Sequence, residues 1–181
     1  MNVHVSPSTQ DIRRAREDNP KLRERDLANK LGISEAQYVA AWCGDGVRRL
    51  ALDMDGLFGE LGRVGEVMAL TRNESAVHEK IGIFENYHAG SHAAMMLGDQ
   101  IDTRMFPKHF VHAFEVRKEV EGGAKHSIQI FDAAGDAVQK IHARPDTNMD
   151  VWANLMSGML HEDQTPNIVI EAPADLIRHS D

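Results

Sequence analysis

The densest run of chemically capable side chains is Arg72-Asn73-Glu74-Ser75-Ala76-Val77-His78-Glu79-Lys80. It falls where a turn joins two predicted strands, a natural rim for a pocket. A solvated hairpin turn explains the same composition. In the strand that follows, Val77, Glu79, Ile81 and Ile83 share one face and His78, Lys80, Gly82 and Phe84 the other, because side chains alternate across a strand. If Val77 turns to a core, His78 meets whatever covers the opposite side. His88 and His92 form a His-x-x-x-His pair, which on a helix would put two imidazoles on one face for a metal. The intervening Ala89-Gly90-Ser91 argues instead for a turn, and no Glu follows His88 as a zinc-protease helix requires. His109 and His112 fall on opposite strand faces and are poor partners for one ion. His142 ends a predicted strand, with Arg144 two residues on, and such strand-end groups can line a cleft. No nucleophile arrangement stands out: Cys43, beside Trp42, reads as packing. Gly56, Gly59, Gly62 and the Gly122-Gly123 pair do not join a strand to a helix in the manner of a phosphate-cradling loop, so they read as turns and helix ends.

Composition bounds the setting for these groups. The chain has 181 residues, 42% hydrophobic and 27% charged, which suits one soluble domain. Ten histidines and nine methionines stand against a single cysteine, Cys43, so an intramolecular disulfide and a cysteine-based zinc site are both excluded. A histidine-rich, cysteine-poor chain raises the question of a metal or metallocofactor. Twenty basic and 28 acidic residues give a net charge of −8, which opposes non-specific nucleic-acid binding by phosphate repulsion. No apolar run approaches the roughly 20 residues that cross a bilayer, so membrane insertion is not expected. The first residues carry no apolar signal-peptide core, and a reducing cytoplasm is the expected address.

The elements that must position these groups follow from the patterning. Residues 1–9 read as a flexible start, 10–162 as one domain and 163–181 as a polar tail or linker. A charged helix runs from Gln10 and stops before Pro20. A second covers Lys21–Lys30, closed by Gly32. Ser34 and Gln37 form a capping box that opens a third, Glu35–Cys43. The stretch Leu-Ala-Asn-Lys-Leu-Gly-Ile-Ser-Glu-Ala (27–36) has the rhythm of a helix-turn-helix, but its third helix offers no Arg or Lys to a base or phosphate. Beyond it the spacing predicts a short strand at 47–52 and a helix at 53–61. Strands are predicted at 66–71, 76–86, 91–97, 101–106, 109–118, 127–131 and 137–142, the last two joined by the tight turn Asp-Ala-Ala-Gly-Asp. Asp146 is the predicted cap of a final helix at 148–160, with Trp152, Leu155, Met156 and Met159 as its buried stripe. Helices, then strands, then one helix read as α+β: a large, mostly antiparallel sheet with the N-terminal helices and the C-terminal helix covering one face.

Several segments together resemble the hemin-degrading HemS/ChuS family. They are Arg-Asp-Leu-Ala-Asn-Lys-Leu-Gly-Ile-Ser-Glu-Ala-Gln (25–37), Thr-Arg-Asn-Glu-Ser-Ala-Val-His-Glu-Lys-Ile-Gly-Ile-Phe-Glu-Asn (71–86), His-Ala-Gly-Ser-His-Ala (88–93), Ile-Asp-Thr-Arg-Met-Phe (101–106) and Ser-Ile-Gln-Ile-Phe-Asp-Ala-Ala-Gly-Asp-Ala-Val-Gln-Lys-Ile (127–141). The resemblance implies a cytoplasmic haem-handling protein built on two tandem repeats, each a large antiparallel sheet with covering helices. This chain has the length of one repeat and is similar to the N-terminal one. The axial histidine of full-length members lies at the head of the second repeat and has no counterpart at Thr9–Arg13.

What carries over is narrower. Arg104 matches the N-repeat arginine that reaches haem, and it would be the catalytic group if the ring is opened. His78 matches an N-repeat histidine suited to ligate the iron. By repeat-to-repeat analogy His92, His142 and Arg144 occupy the neighbourhood of haem contacts. Met68, Met95, Met96 and Met105 could cover a flat macrocycle or simply fill the core. The expected function is haem carriage or storage in iron utilisation, with oxygen-dependent degradation as its enzymatic version. No flavin or nicotinamide site is legible, so degradation would draw on an external electron donor. The alternative is a non-catalytic interaction module that has lost haem binding. A lone repeat would leave its pairing surface bare, so a homodimer is expected.

Overall fold

The computed structural model describes residues 6–171. The expected loose start is described only from Ser6 and the expected polar tail only to Glu171; the remainder of both lies outside the described residues. In chain order the α-helices are α1 (Thr9–Asp18), α2 (Glu24–Leu31), α3 (Glu35–Ala40), α4 (Met54–Glu60) and α5 (Met149–Gly158). The strands are β1 (Val47–Leu50), β2 (Val67–Arg72), β3 (Val77–Gly82), β4 (Tyr87–His88), β5 (Ala94–Leu97), β6 (Asp102–Met105), β7 (His112–Val120), β8 (Gly123–Phe131) and β9 (Ala137–Ala143).

Local signals set most boundaries. Ser8 and Asp11 close a capping box on α1, so the chain is already ordered within the stretch expected to be loose. Gly32 ends α2 in the left-handed region at φ 69°, where a Cβ would be strained. Ser34 accepts from the Gln37 amide while the Gln37 side chain accepts from the Ser34 amide, as the capping box predicts. The cap of α5 is Asn148, not Asp146: the Asn148 side chain accepts from the Val151 amide at 3.2 Å. Asp146 lies in the preceding turn, in which the Thr147 amide donates to the Arg144 carbonyl.

The strands form two sheets rather than one. Six pair in the order β1-β7-β8-β9-β2-β3, and β4-β5-β6 make a smaller sheet; every pairing between named strands is antiparallel. Directly opposed residues point to the same side. The register therefore sets Val47, Val116, Ser127, His142, Met68 and Ile81 on one face of the large sheet. Arg48, Glu115, Ile128, Ile141, Ala69 and Lys80 fall on the other.

The helices divide between these faces, which corrects the expectation that they cover only one. Helices α1–α3 lay Ile12, Leu27, Ala36 and Val39 against Val47, Phe114, Val116 and Phe131. On the opposite face α4, α5 and the small sheet pack Leu57, Phe58, Trp152, Met156 and Met96 against Ala69, Ala113, Ile128, Ile130 and Ile141. Strands β7 and β8 are thus buried on both sides over Ala113–Val116 and Ser127–Phe131, while the hairpin end beyond them is exposed. At the β2–β3 end, the face on the α1–α3 side is bare: Val77 is 48% exposed and Ile81 42%. The apolar residues of β3 consequently face outward, and the inward face is that of His78, Lys80 and the buried Gly82. Beyond α5, the start of the expected tail is tied to the body, with Ile168 and Ile170 on the α1–α3 core and Gln164 donating to the Arg49 carbonyl.

Candidate functional site

The five residues singled out by sequence fall in three places. His78 stands on edge strand β3, opposite Thr71 of β2. With Lys80, Thr71 and Gln139 it lines a hollow of about 340 Å³, closed on the other side by Gln100–Thr103 of the small sheet. The close approach of the two sheets there depends on Gly82, where a Cβ would come within 2.6 Å of the Gln100 side chain. His78, Glu79 and Lys80 are all exposed, so the imidazole sits at the mouth of this hollow rather than in its depth.

Arg104 is not in that hollow. Thr103 lines it, and Arg104, next along β6, takes the opposite face. There it lies in one row with Met95 and His88. His92, in the loop before β5, packs edge-on to Phe106 with ring centroids 6.1 Å apart. Phe106 is 41% exposed and follows the buried Met105. The outward face of the small sheet thus gathers a guanidinium, imidazoles, a thioether and an exposed aromatic ring. Met96 and Met105, in contrast, are buried core residues.

His142 and Arg144 occupy a third place, on the α1–α3 face of the large sheet. His142 opposes Ser127 on one side and Met68 on the other. Burial pushes its pKa down, assisted by the nearby charge of Lys140, so the neutral imidazole is favoured. Arg144 lies 3.5 Å from Glu66 across the strand end. On the same face Lys118 opposes Lys125 directly. Burial, with the charges of Arg16, Lys140 and Lys125, pushes Lys118 down to about 8. Glu24 and Glu35 answer this positive cluster by pairing with Lys118 and Lys140.

Two features escaped the sequence reading. His126, on β8 opposite Arg117, lines a largely apolar hollow of about 670 Å³ beside α5. It lies in Glu-Gly-Gly-Ala-Lys-His, a run with no apolar alternation to mark a strand. The other is the buried Glu115, which accepts from Arg48 Nε at 2.7 Å and from the Trp152 indole at 3.2 Å. That cross-strand ion pair had no local signal. Cys43 is buried, and burial raises its thiol pKa, so it is packing rather than a nucleophile. Helix α3 is also packed away: Ala36, Tyr38, Val39 and Ala40 are buried, leaving little of it to enter a DNA groove. Among the described residues no helix is long and apolar enough to cross a membrane.

The fold is an α+β scaffold that sets exposed imidazole and guanidinium groups on its strands. Residues 32–159 match the model of the Haemin-degrading HemS.ChuX domain, and the chain belongs to that family. It is 40% identical over 144 residues to the Hemin transport protein HmuS of Yersinia pestis, covering 79% of this chain and 42% of that protein. The chain therefore spans about two fifths of the curated relative it matches. Among solved structures it is similar to holo-PhuS, a heme-binding protein from Pseudomonas aeruginosa. That match has a TM-score of 0.88 and 31% identity, and covers 93% of this chain and 50% of that one. It is also similar to ChuS, described as an E. coli Heme Oxygenase, with a TM-score of 0.81 and 30% identity over 90% of this chain and 49% of that one.

Proposed function

We propose that this chain binds haem as a carrier in cytoplasmic haem utilisation, with His78 as the iron ligand. The observation that carries the reading is an exposed imidazole at the mouth of a hollow, two residues from a lysine on the same strand face. The residues present fit the group. Among the described residues no three His, Cys, Asp or Glu side chains converge as a bare metal ion requires. Haem iron, whose equatorial positions the macrocycle fills, needs only one axial imidazole. Lys80 supplies charge for a propionate, and Thr71, Thr103 and Gln139 supply hydrogen bonds. The family membership and the haem-binding PhuS neighbour support this choice of ligand.

His78 of β3 shares its hollow with Thr103, whereas Arg104 takes the opposite face of β6, so one haem that meets both would take them from two copies. We propose a homodimer in which Arg104 of one copy reaches the haem held at His78 of the other, as a propionate clamp or as the catalytic group when the ring is opened. Ring opening would consume oxygen and electrons from an external donor. A second placement is favoured by the packing of His92 on Phe106. There the macrocycle lies on the outward face of the small sheet, with Arg104 on a propionate and His92 on the iron. In that placement one copy is enough. His142 and Arg144 would serve as a further contact surface on the opposite side of the molecule.

Titration with hemin, followed by the Soret band, tests the reading. Saturable binding at micromolar protein is expected, with affinity lowered by about tenfold or more in His78→Ala, roughly 1.4 kcal/mol per decade. A loss in His92→Ala with His78→Ala unchanged would move the haem to the outward face. Absence of any Soret shift would leave the interaction module as the function. Light scattering with and without hemin tests the dimer. Turnover with a reductant in the presence of catalase separates degradation from carriage.

A further inference from the structure

We propose that the hollow beside α5 is a second binding site, one that takes a flat apolar carboxylate. It is a slot between the end of the β1-β7-β8 sheet and α5, with a volume of about 670 Å³. Its walls are mainly apolar, drawn from Met149, Trp152 and Leu160, and Leu160 is 41% exposed although it belongs to this lining. Gly44 and Gly46 bound the slot without a side chain to intrude. Both have positive φ, and a Cβ at Gly46 would press to within 2.7 Å of the Arg117 carbonyl oxygen. Small-molecule sites have this character: a concave apolar surface with a few placed polar groups.

Two polar groups here can turn to a ligand, one without a partner at its buried nitrogen and one held only by a surface ion pair. His126 lines the slot, and its Nδ1 is occluded with no hydrogen-bond partner, an arrangement that folded proteins rarely leave uncompensated. Its Nε2 would be the atom to meet a ligand. Arg117, opposite His126 across the β7–β8 ladder, pairs with Glu119 on the surface, where both side chains are more than half exposed. An exposed pair of this kind is weak and exchanges readily for a carboxylate. The other guanidinium in the lining, Arg48, is fixed on the buried Glu115 and holds the floor of the slot. Imidazole and guanidinium thus stand side by side at one end of an apolar slot, where the acid group of a flat ligand would lie.

This slot is separate from His78, which faces the small sheet. The choice of a porphyrin as probe rests on the haem reading, whereas the slot itself does not. Metal-free protoporphyrin IX, which offers no iron for axial ligation, is the probe, followed by quenching of tryptophan emission. Saturable quenching at one equivalent is expected in the parent chain and in His78→Ala. Arg117→Gln and His126→Gln should each weaken it several-fold. Ala153→Phe, which adds a ring from an exposed position of α5 into the slot, should weaken it at least tenfold. An unchanged urea midpoint in Arg117→Gln and His126→Gln certifies that their loss is one of binding. Absence of saturable quenching, unchanged quenching in all three slot variants, or loss of quenching in His78→Ala would each overturn the proposal. Hemin ligation at His78, read from the Soret band, can fail or succeed independently of this result.

Discussion

The two ends of the large sheet are built differently. Over Ala113–Val116 of β7 and Ser127–Phe131 of β8 the sheet is buried on both faces, with Phe114, Val116 and Phe131 under α1–α3 and Ala113, Ile128 and Ile130 under α4 and α5. At the β2–β3 end only one face is covered, and the other exposes Val77 and Ile81. The groups with ligand chemistry on the large sheet lie where the covering stops: His78 on the edge strand, His142 and Arg144 on the half-bare face, and Arg117 and His126 where the β7–β8 hairpin runs beyond the core. A doubly packed strand spends its side chains on the core. A strand anchored on one face keeps the stiffness of the sheet while leaving its other side chains free to meet a ligand.

This contrast can be broken or sharpened by substitution. The largest effect is expected at the packed end. Trp152→Ala removes a fully buried indole and one of the two donors to Glu115, and should cost about 3–5 kcal/mol in urea-unfolding stability. At the junction of α2 and α3, Ser34→Ala removes the capping-box acceptor of the Gln37 amide and should cost about 1 kcal/mol. At the bare end Val77→Thr on β3 should change stability by less than about 0.5 kcal/mol. A large loss there would show that this face is covered in solution, as a homodimer would cover it.

Acid sharpens the same contrast by another route. His142 and His112 both have pKa values lowered, in each case chiefly by burial. A histidine whose folded pKa lies below its unfolded value binds its proton more readily in the unfolded chain. Stability is therefore full above the unfolded value of about 6.5 and declines as pH falls through the folded one. Urea midpoints at pH 7.5 and 5.5 should show this loss, and His142→Gln should flatten it. An unchanged slope in that variant would place the titration elsewhere.

Much of the architecture is legible in the residues. The Ser34–Gln37 capping box, the Gly32 stop, the 132–136 turn and the Trp152/Met156 stripe each rest on short-range physics that the sequence carries locally. What was not legible depends on partners distant in sequence. The alternation of β3 is visible, but which of its faces is buried is decided by Gln100 and Ile101 closing over Gly82. The separation of the strands into two sheets, and of the helices onto two faces, likewise follows from long-range packing. Strand β8 extends back to Gly123 because β7 offers a pairing partner for the whole hairpin, although Lys125 and His126 carry no apolar signal. His126 and its slot were hidden for that reason. The resemblance identified the family and the individual candidate residues, but alternation alone could not reveal that β6 separates His78 from Arg104.

The central claim is that the His78 imidazole on edge strand β3 ligates haem iron. The most direct measurement compares the hemin dissociation constant and Soret maximum of the parent chain with those of His78→Ala, both at equal folded fraction. A displaced maximum and an affinity lowered by about tenfold or more are expected in the variant. Identical spectra and affinities in the two chains would contradict it.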